Sequence, residues 1–459
     1  MPSMQNTALP TAANAAVSSA ADAATLLEKL NDHQREAVSL PQTHALVLAG
    51  AGSGKTRVLV HRLAWLLKVE RVSPYSVLAV TFTNKAAGEM RARIEALLGI
   101  NTRTLWIGTF HGIAHRLLRL HHEEAGLPQA FQVLDSQDQR RAVERVIKSL
   151  DLDTKAWPPR EATGFINRHK DAGTRPGHIP DEGDPTHAQL VRIFAAYESY
   201  CRERGLVDFP ELLLRAHELC RDNPGLLDHY RKRFRHIMVD EFQDTNSLQY
   251  GWLRLLAGDD NKLFVVGDDD QSIYGWRGAR IENIHQFGRD FDVRTIRLEQ
   301  NYRSTGNILS AANELIANNS ERLGKNLWTD SGEGDPITLY QAFNEYDEAE
   351  FVVGRIRDWV DGGGSRSDVG VLYRSNAQSR VLEESLIAAQ IPYRVYGGLR
   401  FFERAEIKTA LAEKYTRKAR TSNSDTKRRQ FEHRARAHRR KAQALRDAVA
   451  FHQREAAEA

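Results

Sequence analysis

The stretch Ala45-Leu46-Val47-Leu48-Ala49-Gly50-Ala51-Gly52-Ser53-Gly54-Lys55-Thr56 decides the fold. An aliphatic run passes into a glycine-rich turn that ends in Gly54-Lys55-Thr56, and a helical pattern follows at once. Strand, loop and helix in that order make a phosphate-binding loop. Across Ala49, Gly50, Ala51, Gly52, Ser53 and Gly54 the small residues let successive backbone N–H groups converge on phosphate oxygens, and the helix N-terminus adds its dipole. Lys55 supplies a point charge, the Thr56 hydroxyl can ligate Mg²⁺, and Arg57 closes the run expected to touch a nucleotide. Ala49 stands where the usual pattern begins with Gly.

A second site supports the first. Asp240-Glu241 follows the apolar run Ile237-Met238-Val239, which sets two carboxylates at the C-terminal end of a strand, where open α/β sheets keep their ligands. Alone, such a pair also reads as a solvated loop. Together with Lys55 it reads as Asp240 sharing the Mg²⁺ with Thr56, and Glu241 orienting and deprotonating an attacking water. Apolar runs at His44 to Leu48, Val77 to Phe82, His236 to Val239, Leu263 to Val266, Thr295 to Leu298 and Val369 to Tyr373 alternate with helical patterns. That alternation predicts parallel sheets covered by helices. From Arg116 to Tyr230 the pattern is helical, broken by loop signals at Trp157-Pro158-Pro159 and Arg175 to Pro185.

At 459 residues the chain exceeds one ordinary core. Its 41% hydrophobic and 27% charged residues fit a water-soluble chain, and no window is apolar enough for a membrane span. Two cysteines, Cys201 and Cys220, give no disulfide framework, which points to a cytoplasmic setting. The net charge of +4 hides an asymmetry, because residues 413–444 alone hold 12 Lys/Arg against three acids. The same 32 residues contain no Val, Ile, Leu or Met, so they cannot build a core. His121-His122 invites a metal reading but reads better as an exposed helix end.

With these sites placed, the strings between them resemble the UvrD/Rep/PcrA group of superfamily 1 DNA helicases. Leu30-Asn31-Asp32-His33-Gln34 resembles the adenine-reading Q motif, Thr81-Phe82-Thr83-Asn84-Lys85-Ala86-Ala87 motif Ia, and Gly108-Thr109-Phe110-His111 motif Ib. Asp240 to Asp244 resembles motif II, Val266 to Ala279 motif III, and Leu298 to Thr305 motif IV, while Leu372 to Gln378 matches a further family segment. The resemblance covers roughly residues 27 to 410. It implies a P-loop NTPase of two RecA-like α/β domains, each with a helical insertion. Residues 27–115 with 231–281 would form domain 1A, 116–230 insertion 1B, 282–402 a partial domain 2A, and 403–459 an aberrant remnant of insertion 2B, behind a disordered tail at 1–26.

The resemblance also implies roles. Gln34 would contact adenine, Tyr302 would stack on it, Gln271 would sense the γ-phosphate, and Arg303 would be an arginine finger reaching across from domain 2A. Phe82, Tyr274 and Trp276 would stack on bases of single-stranded DNA, with Asn84, His111, Arg277 and Arg374 contacting its backbone or bases. The implied activity is ATP-dependent translocation on single-stranded DNA, 3′ to 5′, at single/double-strand junctions, in repair or replication. Strings for the family's motifs V and VI are not found, and the family-like sequence stops after Glu406 to Leu411, so this chain is expected to bind ATP, hydrolyse it weakly and not unwind DNA robustly. An out-of-register reading of the gene across 413–444 accounts for the stop; a genuine basic tail is the other reading. Two further readings stay open: an ATP- and DNA-binding remnant that does not unwind, and the helicase subunit of a helicase–nuclease complex.

Overall fold

A computed structural model describes residues 21–181, 183–320 and 322–396, together with a few positions between 413 and 439. The remnant reading of 403–459 and the frame question at 413–444 lie largely outside the described residues. The chain divides into two units, residues 1–337 and 338–459.

The first unit is built on six parallel strands: β1 (His44–Ala49), β2 (Val77–Thr81), β3 (Trp106–Thr109), β4 (His236–Val239), β5 (Lys262–Gly267) and β6 (Val293–Leu298), in the spatial order β3-β2-β4-β5-β1-β6. Side chains alternate between two cores. Leu46, Leu48, Leu78, Val80, Ile237, Val239, Leu263 and Val265 face one side, and Ala45, Val47, Ala79, Met238, Phe264 and Val266 face the other. Burial on both faces explains why these strands read as continuous apolar runs.

Helices α1 (Asp32–Ser39), α2 (Lys55–Lys68) and α3 (Asn84–Leu98) cover the second face. Asn31 caps α1 and shares a capping box with Gln34, while Thr83 caps α3 through the Ala86 N–H. On the first face lie α4 (Phe110–Leu120) and, beyond the helical insertion, α8 (Phe209–Asp222), α9 (Pro224–Arg233), α10 (Ser247–Leu256) and α11 (Glu282–Asp290). Inside the insertion, α5 (Ser136–Ser149), α6 (Pro159–Asp171) and α7 (Pro185–Arg204) close a separate core around Phe165, Phe194 and Tyr197. The insertion expected over 116–230 is therefore mixed, because α8 and α9 pack in the core of the sheet.

Three boundaries differ from the sequence reading. Residues 21–27 are helical and Leu26 is buried, because Leu26 and Leu30 supply apolar contacts that the alanine-rich segment before them lacks. The sheet continues past residue 282, where the second α/β domain was expected to begin. There β6 pairs with β1 along its length, from His44 opposite Val293 to Ala49 opposite Leu298. The third concerns Val369 to Tyr373, which pairs with no strand among the described residues and is not itself a strand, leaving Leu372 exposed. In that second unit two helices, Glu345–Asp361 and Ser379–Ala388, pack through Val353, Ile356 and Leu386.

Candidate functional site

The loop after β1 takes the conformation its glycines permit. Gly52 lies at φ +71° and Gly54 at φ +92°, in the left-handed region. A Cβ on Gly54 would stand 2.9 Å from Gln34 Nε2, and one on Gly52 2.7 Å from Asn301 Nδ2, so these positions also need the missing side chain. Ser53 is buried and its hydroxyl donates to the Gly50 carbonyl at 2.7 Å. Lys55 and Thr56 open α2, with Arg57 behind them donating to the Lys29 carbonyl at 2.7 Å.

Because β6 runs parallel beside β1, the residues after the two strands meet. Tyr302 N donates to Gly52 O at 3.0 Å, Asn301 Nδ2 donates to Ala51 O, and Gly50 N donates to Leu298 O at 3.2 Å. Arg303 thus arrives beside the loop in the bend that follows the neighbouring strand of the same sheet, where a position across from a second domain was expected. Tyr302 keeps half of its surface exposed, and its hydroxyl meets Asn31 Nδ2 at 2.7 Å. Gln34 is fully engaged: Nε2 donates to Ser53 O at 2.9 Å and Oε1 accepts from Asn31 N at 3.2 Å. The residue implied to read adenine also braces the loop.

Lys55 Nζ lies 3.8 Å from Glu241 Oε2 and 3.7 Å from Asp268 Oδ2. Three strands converge here, since Lys55 follows β1, Glu241 follows β4 and Asp268 follows β5. Gln243 links the last two, donating to Glu241 Oε2 at 2.9 Å and accepting from Asp268 N at 2.9 Å. Glu241 sits at φ +52°, an uncommon conformation for a residue with a side chain and one found where function demands it. Gln271 donates to Asp268 Oδ2.

Asp240 is buried, and that burial, reinforced by Glu241 and opposed by Lys55, pushes its carboxyl up to about 7. Burial and Glu241 likewise raise Asp244 to about 6, and Asp244 Oδ1 has no hydrogen-bond partner among the described residues. Two desolvated carboxyls, one with an unsatisfied oxygen, make a donor set of the kind that suits a hard cation.

The aromatic residues also gather. Phe82 stacks on Tyr274 with ring centroids 5.2 Å apart, Tyr274 stands 6.4 Å from Trp276, and the Arg277 guanidinium lies 5.0 Å from the Trp276 ring. Trp276 is 78% exposed, which a core residue would not be. Asn84 is exposed at the first turn of α3. His111 packs 5.6 Å from Phe209, and burial lowers its imidazole to about 4, so it is neutral at ordinary pH. Arg374 belongs to the second unit, where its side chain is exposed and its backbone N–H donates to Gln378 Oε1.

Sequence reading missed several partners. Asn301 and Asn31 lay inside quoted strings without a role. Lys325 was not singled out, although its Nζ contacts Asp268 Oδ1 at 2.7 Å, Asp269 Oδ1 at 2.6 Å and Asp270 Oδ2 at 2.7 Å. Nothing in the run Arg322 to Trp328 announces that contact, which joins residues more than 50 positions apart.

Comparison with known proteins shows what the chain is similar to. The profile of the UvrD/REP helicase N-terminal domain matches residues 30–292, and that of the UvrD-like helicase C-terminal domain matches residues 296–442. DNA helicase II of Escherichia coli (strain K12) is 62% identical over 405 residues, 88% of this chain and 56% of that protein. DNA helicase II of Haemophilus influenzae is 59% identical over 85% of this chain and 54% of its own length. ATP-dependent DNA helicase PcrA of Staphylococcus aureus (strain Mu50) is 44% identical over 87% of this chain and 55% of its own. The chain spans about half the length of the curated relatives it matches.

Proposed function

The chain belongs to the UvrD/REP helicase family, and from that premise we propose that its first unit binds ATP with Mg²⁺, hydrolyses it, and uses the reaction to step along single-stranded DNA. The observation that carries this reading is Lys55 held at 3.7 to 3.8 Å between the carboxylates of Glu241 and Asp268, at the C-terminal edge of a parallel sheet. Polyphosphate entering the loop gives Lys55 a stronger partner. Its departure frees Glu241 to accept a proton from water aimed at the γ-phosphate. Thr56 and Asp240 would hold Mg²⁺, whose contribution is to neutralise charge on the phosphate oxygens. Arg303, beside the loop, adds positive charge where it develops in the transition state. Tyr302 offers an exposed ring to the base.

One short segment joins this chemistry to the DNA surface. Gln271 and Trp276 are five residues apart, in two successive turns of 3₁₀-helix, Asp269–Gln271 and Gly275–Arg277. A shift of Gln271 toward a γ-phosphate displaces Tyr274 and Trp276, on which bases stack with little sequence preference. Movement 3′ to 5′, action at single/double-strand junctions, a role in repair or replication, partner proteins of those processes and a cytoplasmic location are part of the same proposal. No described helix is long and apolar enough to cross a membrane.

The test is nucleotide binding and turnover by the purified chain. Lys55→Ala is expected to abolish binding of a fluorescent ATP analogue. Glu241→Gln is expected to keep binding and stop phosphate release. Undiminished turnover in the second variant removes Glu241 as the base.

A further inference from the structure

Lys325 is only 4% exposed and meets three carboxylates, while Arg322 pairs with the outermost of them, Asp270, through contacts of 2.8 and 3.0 Å. Asp268, 1% exposed, stands between two lysines, with Oδ1 on Lys325 and Oδ2 facing Lys55 and Gln271. A buried carboxylate must be compensated or it strongly disfavours the charged state. Lys55 can leave for a phosphate only if Asp268 keeps another cation. Lys325 is that cation, and it contacts the other carboxylate oxygen, Oδ1. It also fixes the rotation of Asp268, and with it the oxygen to which Gln271 donates. The three adjacent aspartates hold an ammonium at 2.6 to 2.7 Å, so Lys325 occupies the space between them.

We propose that Lys325 is a positioning residue of the nucleotide site: it neutralises Asp268, releasing Lys55 to the phosphates and aiming Gln271. The proposal rests on the reading of the site as an ATP pocket. Without Lys325, the Asp268 carboxylate holds Lys55 more tightly and repels polyphosphate.

The experiment is a binding titration of the full chain with a fluorescent ATP analogue, alongside thermal unfolding by circular dichroism. Lys325→Met is expected to raise Kd about tenfold or more, the scale of a hydrogen bond to a charged group. Adding Asp268→Asn to it removes the orphaned charge that faces Lys55, while Asp270 keeps Arg322 and Asp269 keeps the Leu323 N–H, and is expected to restore Kd to within about threefold, a coupling that independent structural damage does not give. Lys325→Gln repeats the loss should the methionine variant fail to fold, and Lys325→Arg keeps the cation and binding. Unchanged Kd in Lys325→Met overturns the proposal, as does a double variant no better than the single. A wild-type chain that binds no nucleotide overturns the ATP reading itself, and a wild type that binds while Lys325→Met is unaffected overturns only this assignment.

Discussion

Lys170→Met is expected to loosen the helical insertion while leaving the sheet intact. Lys170 is 1% exposed on α6, and its Nζ contacts Asp208 Oδ2 at 2.8 Å and Glu211 Oε2 at 2.9 Å. These anions hold the lysine pKa above its ordinary value despite burial, and the surrounding cations keep Glu211 well below the usual carboxylate range. Methionine fills a similar volume, so packing loss is small and the change isolates the charge. Removing one partner of a buried pair costs about 3 to 5 kcal/mol. Glu211 retains Arg175 at 2.8 Å and Arg215 at 2.6 Å. Asp208 keeps Tyr197 OH at 2.8 Å, Gln139 Nε2 at 3.2 Å and the Glu211 N–H at 2.8 Å. The remaining compensation sets the loss at the low end, about 3 kcal/mol, or roughly two decades in the local opening equilibrium. Native-state hydrogen exchange reads this directly, because amides of α5 to α7 open with the smaller core while those of β1 to β5 do not. Equal protection of α5 to α7 in wild type and variant refutes the charge argument.

Other outcomes follow from the same contacts. Gly54→Ala is expected to weaken nucleotide binding by at least tenfold, since a left-handed alanine costs about 1 to 2 kcal/mol before its contact with Gln34 is counted; unchanged affinity removes the steric reading of the loop. Trp276→Ala should lower affinity for an oligothymidylate by roughly 1 to 3 kcal/mol, measured by fluorescence anisotropy, and leave nucleotide binding without DNA unaltered. Burial holds His236 at about 4, below its ordinary value of 6.5, so the unfolded chain binds the extra proton between those values and stability falls as pH drops from 6.5 toward 4. Asp171, raised to about 6 by burial, acts with the opposite sign, so the comparison is with His236→Gln, whose melting temperature should fall less over that range. Parallel curves for the two proteins contradict the assignment.

The nucleotide loop and the parallel sheet were legible because both write themselves locally, the first in glycine spacing and the second in apolar runs at strand length. Asp240-Glu241 was legible from its place after a strand. What the sequence hid depends on which strands become neighbours. Arg303 was expected from a second domain because nothing local says that Val293–Leu298 lies beside β1. The same pairing makes Asn301 a clasp on Ala51 O, and a segment without helical or strand periodicity delivers Lys325 to Asp268. Val369 to Tyr373 has strand composition, but a strand also needs a partner strand, and none pairs with it among the described residues.

In the proposed function, one unit couples a nucleotide pocket to a surface for single-stranded DNA through the run from Asp268 to Trp276. Phosphate release by the purified chain, measured with and without an oligothymidylate, tests it most directly. Hydrolysis that rises with the oligonucleotide, whatever its absolute rate, and disappears in Glu241→Gln is the predicted result. Hydrolysis that ignores the oligonucleotide, or that survives in Glu241→Gln, contradicts it.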